Sequence, residues 1–172
     1  VMTSPGSGTE VLIRLKFQLA TEEDIPTDTV VPTPDADTDA NAEIDFSQKR
    51  LLLVEDNDIN MEIANMILTQ QGFMVETAKN GQIAVDMVAA SQAGYYDAIL
   101  MDIQMPVMDG YTATREIRAL DNKELANIPI LAMTANAFQE DVAEAKNAGM
   151  QAHIAKPIDV NVLMAELRAV LQ

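Results

Sequence analysis

The chain has 172 residues, 48% of them apolar, with no cysteine, one histidine and a formal net charge of −16. That length serves one domain of ordinary size plus an appendage, and the lack of cysteine excludes disulfides, thiol chemistry and Cys-based metal sites. One histidine, His153, leaves no His-rich metal site, the negative charge argues against nucleic acid or an anionic membrane as a direct partner, and no run approaches the ~18 apolar residues of a membrane-spanning helix. No charged–apolar–small signal peptide opens the sequence. Val1 is not a start residue, and the chain is expected to begin inside a domain.

Residues 1–20 hold Gly6-Ser7-Gly8-Thr9 and then an alternating stretch. Val11, Ile13, Leu15, Phe17 and Leu19 form an apolar face, with Leu12, Arg14, Lys16 and Gln18 on a mostly polar one, which predicts a strand. One strand cannot bury its apolar face alone, so this one belongs to a sheet whose other strands are missing. Residues 21–48 read as a linker: Pro26, Pro32 and Pro34 interrupt any helix, and Asp35, Asp37, Asp39, Glu43 and Asp45 add like charge.

From Arg50 short apolar strands alternate with amphipathic helices. Leu51–Val54 is an apolar run ending in Glu55-Asp56, and a helix is predicted from about Asp58 with Ile59, Ile63, Met66 and Ile67 on one face. Gly72 ends it. Phe73–Thr77 is a second strand, and Asn80-Gly81 opens a helix carrying Ile83, Ala84, Met87 and Val88. The third strand, Ala98–Met101, has the continuous apolar character of a strand buried on both faces. A helix over about 109–119 follows, with Ala113, Ile117 and Leu120 at helical spacing, then a fourth strand over 128–133 with Pro129 near its start. A helix from about Ala137 to Gly149, a short strand Ala152–Ala155 and a strongly periodic last helix complete the pattern. Such alternation predicts an α/β doubly wound, five-stranded parallel sheet of flavodoxin type, strand order 2-1-3-4-5, with helices on both faces.

In a parallel sheet every carboxyl end lies on one edge. Glu55-Asp56 follow strand one, Asp102 follows strand three, Thr134 follows strand four and Lys156-Pro157 follow strand five. Each has an ordinary reading by itself: loop acids, a helix N-cap at Thr134, a surface charge at Lys156. Together they place three carboxylates, a hydroxyl and an ammonium in one shallow pocket. Crowded carboxylates repel one another, and a divalent cation relieves that repulsion. An all-oxygen set favours a hard ion, and Mg²⁺, which keeps waters and shares phosphate oxygens, fits best. One carboxylate can act as a nucleophile on phosphorus. Asp102 then takes the phosphoryl group, Glu55 and Asp56 hold the metal, and Thr134 and Lys156 neutralise the phosphoryl oxygens.

Leu53-Val54-Glu55-Asp56-Asn57, Met101–Gly110, Ala132-Met133-Thr134-Ala135 and Ala155-Lys156-Pro157, in that order and spacing, resemble the signatures of a response-regulator receiver domain, and the resemblance covers residues 50–172. It implies that Gln104 offers its backbone carbonyl to Mg²⁺ and that Ala135 is small to admit the phosphoryl group. It implies a switch in which Thr134 is drawn inward and His153, three residues before the signature lysine, moves after it. His is smaller and more polar than Phe or Tyr, so the switch is expected to be shallow. Gly6-x-Gly8-Thr9 and the strand after it resemble the last glycine box and terminal strand of a sensor histidine kinase's ATP-binding domain, read here as a remnant without ATPase activity. The implied partner is a histidine kinase or a histidine phosphotransfer domain, docking on the helix-one surface near Asn57 and Asn60. The expected protein is the receiver of a hybrid kinase, monomeric and cytoplasmic, with a parent that can be membrane-anchored and no direct membrane contact of its own. With no DNA-binding segment after Gln172, relay is expected ahead of transcriptional output. Three other readings stay on the table. An unphosphorylated interaction module would not need the full set of site residues. A flavodoxin-like cofactor binder would need a phosphate-cradling loop where Glu55–Asp58 stand. An aspartyl phosphatase usually carries a second acid where Gln104 stands.

Overall fold

The computed structural model describes residues 2–3, 9–10, 46–135 and 139–171. The chain divides between Ala42 and Glu43, and the two parts are taken separately. In the first, Met2–Thr3 and Thr9–Glu10 pair antiparallel as a short ribbon. The strand expected over 11–19 and the linker up to residue 45 lie outside the described residues.

In the second part, five strands form one sheet: β1 (Arg50–Val54), β2 (Met74–Ala78), β3 (Ala98–Asp102), β4 (Ile130–Thr134) and β5 (Ala152–Ala155). All neighbours are parallel and the spatial order is β2-β1-β3-β4-β5, as the alternation predicts. The helices are α1 (Asp58–Gln70), α2 (Gly81–Ala90), α3 (Gly110–Arg118), α4 (Lys123–Ala126), α5 (Gln139–Ala148) and α6 (Val160–Leu171). The single turn α4, capped by the Asn122 side chain, was not expected from the sequence. Among the described residues no helix is long and apolar enough to cross a membrane.

Side-chain alternation splits the core. Leu51, Leu53, Leu100 and Leu131 point to the face covered by α1 and α6, whereas Leu52, Val54, Ile99 and Met101 point to the face covered by α2, α3 and α5. Central strands buried on both faces need helices on both, and each fully buried Leu or Ile contributes about 1.5–3 kcal/mol. Phe46 belongs to the first of these faces: its ring stacks on Phe73 at 4.5 Å and is 6% exposed, so the packed unit reaches back into the stretch read as linker.

Two strand starts differ from expectation for identifiable reasons. Gly72 adopts φ 95° after α1, and the Phe73 N–H turns back to the Leu68 carbonyl at 3.2 Å, so the β2 ladder starts only at Met74. Pro129 has no N–H to give, so β4 starts at Ile130, although the Pro129 carbonyl still accepts from Ile99 at 2.8 Å. The face of α1 also differs. Ile59, Ile63 and Met66 are 69%, 50% and 54% exposed; of the expected face only Ile67 packs against the core, and the helix buries Met61, Ala64 and Leu68. Both triplets have helical spacing.

Candidate active site at the carboxyl edge of the sheet

The register brings the predicted residues together. Val54 lies beside Met101, so Glu55 and Asp102 leave adjacent strands side by side. Asp102 pairs with Met133 and Thr134 with Ala155, which places Thr134 and Lys156 on the next two strands. Glu55, Asp56 and Asp102 each offer a carboxylate oxygen within 4.8 Å of the others. Lys156 crosses from β5 and donates to Glu55 Oε2 at 2.6 Å and to Asp102 Oδ2 at 2.8 Å. Glu55 is 2% exposed and Asp102 5%, while Asp56 is exposed. A buried acid pair around one ammonium leaves one negative charge in excess, and Asp56 adds another.

Burial pushes the Asp102 carboxyl above the usual carboxylate range. The Lys156 ammonium pulls it back and the Glu55 charge adds to the rise. Burial alone would depress Lys156, but its bonds to Asp102 and Glu55 outweigh that and hold it above the ordinary lysine value. Such a lysine stays charged throughout the neutral range.

Three supporting features had little or no signal in the sequence. Asn60, in the first turn of α1, donates its side-chain N–H to Glu55 Oε1 at 3.1 Å and so orients that carboxylate. Gly110 opens α3 so close to β3 that a Cβ there would stand 2.2 Å from the Asp102 carbonyl oxygen. A Cβ on Gly81 would stand 2.7 Å from the Met108 carbonyl, whose oxygen instead accepts the Gly81 N–H at 3.1 Å. The sequence places Gly110 at the start of a predicted helix, but only the fold reveals what the glycine must clear. The loop between β3 and α3 is thereby held at both ends.

Gln104 is exposed in that loop, and its N–H lies 3.4 Å from Asp102 Oδ1. Thr134 is 9% exposed at the end of β4, and its carbonyl accepts the Lys156 N–H at 2.7 Å. His153 is exposed on β5, paired in register with Ala132. The peptide bond between Lys156 and Pro157 is cis.

The donor set fits a hard divalent cation: carboxylate oxygens converging from two strand ends, with no sulfur and no imidazole among them. A buried carboxylate beside a paired lysine, at the mouth of a parallel sheet, is equipped to receive an anion once a cation offsets the charge. In agreement with that geometry, residues 51–168 match the family described as the response regulator receiver domain.

The chain belongs to the response regulator receiver family. The curated proteins similar to it include hybrid and other histidine kinases. It is 38% identical over 117 residues to hybrid signal transduction histidine kinase I of Dictyostelium discoideum, a match covering 67% of this chain and 7% of that protein. It is 37% identical over 157 residues to probable histidine kinase 2 of Oryza sativa subsp. indica, covering 85% of this chain and 13% of that protein. The chain therefore spans only a small part of these relatives. Among solved structures, the receiver domain of a sensor histidine kinase from Pseudomonas aeruginosa, with magnesium coordinated in its active site cleft, is 41% identical with a TM-score of 0.64, covering 72% of this chain and 97% of that one. A chain in the co-crystal structure of the Saccharomyces cerevisiae histidine phosphotransfer protein with the receiver of its downstream response regulator is 31% identical with a TM-score of 0.64, covering 71% of this chain and 88% of that one. The present receiver is a module of two-component phosphorelay signalling.

Proposed function

We propose that Asp102 is the phosphoacceptor of this receiver and takes its phosphoryl group from a phosphohistidine. An Asp102 carboxylate oxygen attacks phosphorus. The P–N bond to the donor imidazole breaks, and its electron pair stays on the ring nitrogen. Lys156, now shared between Asp102 and Glu55, follows the charge onto a phosphoryl oxygen, and the Thr134 hydroxyl donates to another. Asp56, Asp102 and the Gln104 backbone carbonyl would hold Mg²⁺, with Glu55 acting mostly through water. Bound there, the ion would neutralise charge on the phosphoryl oxygens. The observation that carries this reading is the buried Asp102 carboxylate 2.8 Å from the Lys156 ammonium and grouped with Glu55 and Asp56.

The partner we infer is a histidine phosphotransfer domain or a kinase's histidine-bearing domain. A cleft lined by Glu55, Asn60, Ile63, Lys156 and Ile158 joins the acidic pocket to the exposed apolar face of α1, which supports docking there. We take residues 50–172 as the phosphoaccepting domain, acting on the cytoplasmic side as part of a longer hybrid kinase.

Incubation with phosphoramidate and Mg²⁺ should raise the intact mass by one phosphoryl group in the wild type and not in Asp102→Asn. Calorimetric Mg²⁺ titration should weaken far more for Asp56→Ala than for the remote Asp121→Ala. Full labelling of Asp102→Asn, or equal effects of the two alanine changes, would place the site elsewhere.

A further inference from the structure

The loop between β3 and α3 contains a residue that the phosphoryl chemistry does not use. Val107 has φ 71° and is the one non-glycine residue at positive φ among the described residues. The Met108 N–H donates to the Pro106 carbonyl at 2.8 Å, closing a three-residue γ-turn with Val107 at its centre. That turn is the strained form, and a β-branched side chain tolerates positive φ least. The flanks leave no slack. Gly110 N–H is bonded to the Ile103 carbonyl at 2.9 Å, and the Met108 carbonyl to Gly81 N–H at 3.1 Å. Glycine or asparagine would occupy the same turn with less strain. The valine side chain adds nothing to the core: at 83% exposure it is the most exposed large apolar residue described.

Strain retained for a side chain that the fold does not bury points to something outside the fold. Asp102 is 5% exposed, so a histidine carrying a phosphoryl group must come down over the carboxyl edge, and the domain that presents it must cover the rim. The rim is largely acidic, with Asp56, Asp58 and Asp109 exposed. Among the described residues, its exposed large apolar groups include Ile59 and Ile63, on the helix that leaves β1 to one face, and Val107, on the loop that leads from β3 to the other. We propose that the Val107 turn holds this side chain out as a second apolar anchor for the histidine-bearing domain, on the opposite side of the pocket from α1. The inference rests on the reading of Asp102 as an acceptor from such a domain.

The test uses the full 172-residue chain and two donors: the phosphorylated yeast histidine phosphotransfer protein and phosphoramidate. The quantity read is the ratio of the protein-donor rate to the small-donor rate. Val107→Asn keeps a residue at ease with positive φ but replaces the apolar tip, and Val107→Gly removes the side chain. Both should lower the ratio by about tenfold, the loss expected of one buried interface anchor. Both should also melt no lower than the wild type, because the strain is relieved. A ratio within about twofold of wild type in both variants, judged against that tenfold, would overturn the proposal, as would a fall of several degrees in both melting temperatures. Ile63→Glu separates the two levels. If it lowers the ratio and the Val107 variants do not, the second anchor is wrong and the docking reading stands. If Ile63→Glu has no effect, or the wild type takes phosphoryl groups only from phosphoramidate, the docking reading fails and this inference with it.

Discussion

Asp102 sits under competing influences: burial and the Glu55 charge favour its neutral form, and the Lys156 ammonium and the Gln104 N–H favour its ionised form. Burial prevails, so the folded chain holds this proton more tightly than the unfolded chain does. By linkage, the folded state loses stability as pH rises from the ordinary carboxylate range through the raised value, and the loss persists at neutral pH. Asp102→Asn removes it. In metal-free buffer at neutral pH the variant should resist urea better than the wild type, and its advantage should vanish as pH is lowered below the ordinary carboxylate range. An advantage that stays constant with pH would mean that the ionised carboxylate is not the cause. At Gly110 the constraint is steric. A Cβ would stand 2.2 Å from the Asp102 carbonyl oxygen, against backbone that cannot step aside without moving β3 or α3. Gly110→Ala should cost about 1–3 kcal/mol in denaturant unfolding, and phosphoramidate labelling should fall with it, because the displaced carbonyl belongs to Asp102, the proposed acceptor.

Among the elements, α1 has two jobs on two faces. Met61, Ala64 and Leu68 pack on the sheet, Asn60 orients Glu55 from the first turn, and Asn57 caps that turn by accepting from the N–H groups of Ile59 and Asn60. The opposite face carries Ile59, Ile63 and Met66 in solvent. Substitutions on the two faces should therefore separate. Leu68→Ala should destabilise by about 2–5 kcal/mol, as a cavity in the core does. Ile63→Glu should change stability by no more than about 0.5 kcal/mol, as an exposed substitution does. Urea midpoints of the two variants check this directly. A large loss of stability in Ile63→Glu would mean that the face is covered within this chain.

For the molecule as a whole, the question is where the folding unit starts. Phe46 stacks on Phe73, the Lys49 ammonium meets Asp97 at 2.8 Å, and the Lys49 carbonyl accepts from Met74 at 2.9 Å. These contacts tie the entering chain to the start of β2 and to the residue just ahead of β3, at the end of the sheet remote from Asp102. A chain beginning at Arg50 loses all of them, and a chain beginning at Glu43 keeps them. The shorter chain should be less stable by about 2–4 kcal/mol, from the buried area of one phenylalanine and its ring contact. Its phosphoramidate labelling under folding conditions should be unchanged, since nothing at the carboxyl edge is removed. Equal urea midpoints for the two chains would show that Phe46 contributes nothing.

The amino-acid sequence alone determined the parallel sheet, its order and the edge on which Glu55, Asp56, Asp102, Thr134 and Lys156 gather. Alternating strand and helix periods admit few topologies, and a parallel sheet puts every strand's carboxyl end on one side. Asp102 and Thr134 could be read as strand ends because each closes a fully apolar run. Tertiary structure decided the rest. Periodicity says which residues share a face of α1 but not how the helix is rotated about its axis. That depends on how the helix packs on the sheet, and the structure turns Met61, Ala64 and Leu68 inward. The clearance at Gly110, the bond from Asn60 to Glu55 and the positive φ at Val107 all arise where two elements distant along the chain meet. No local pattern encodes such meetings, because each depends on the separation of backbones that only the packed core sets.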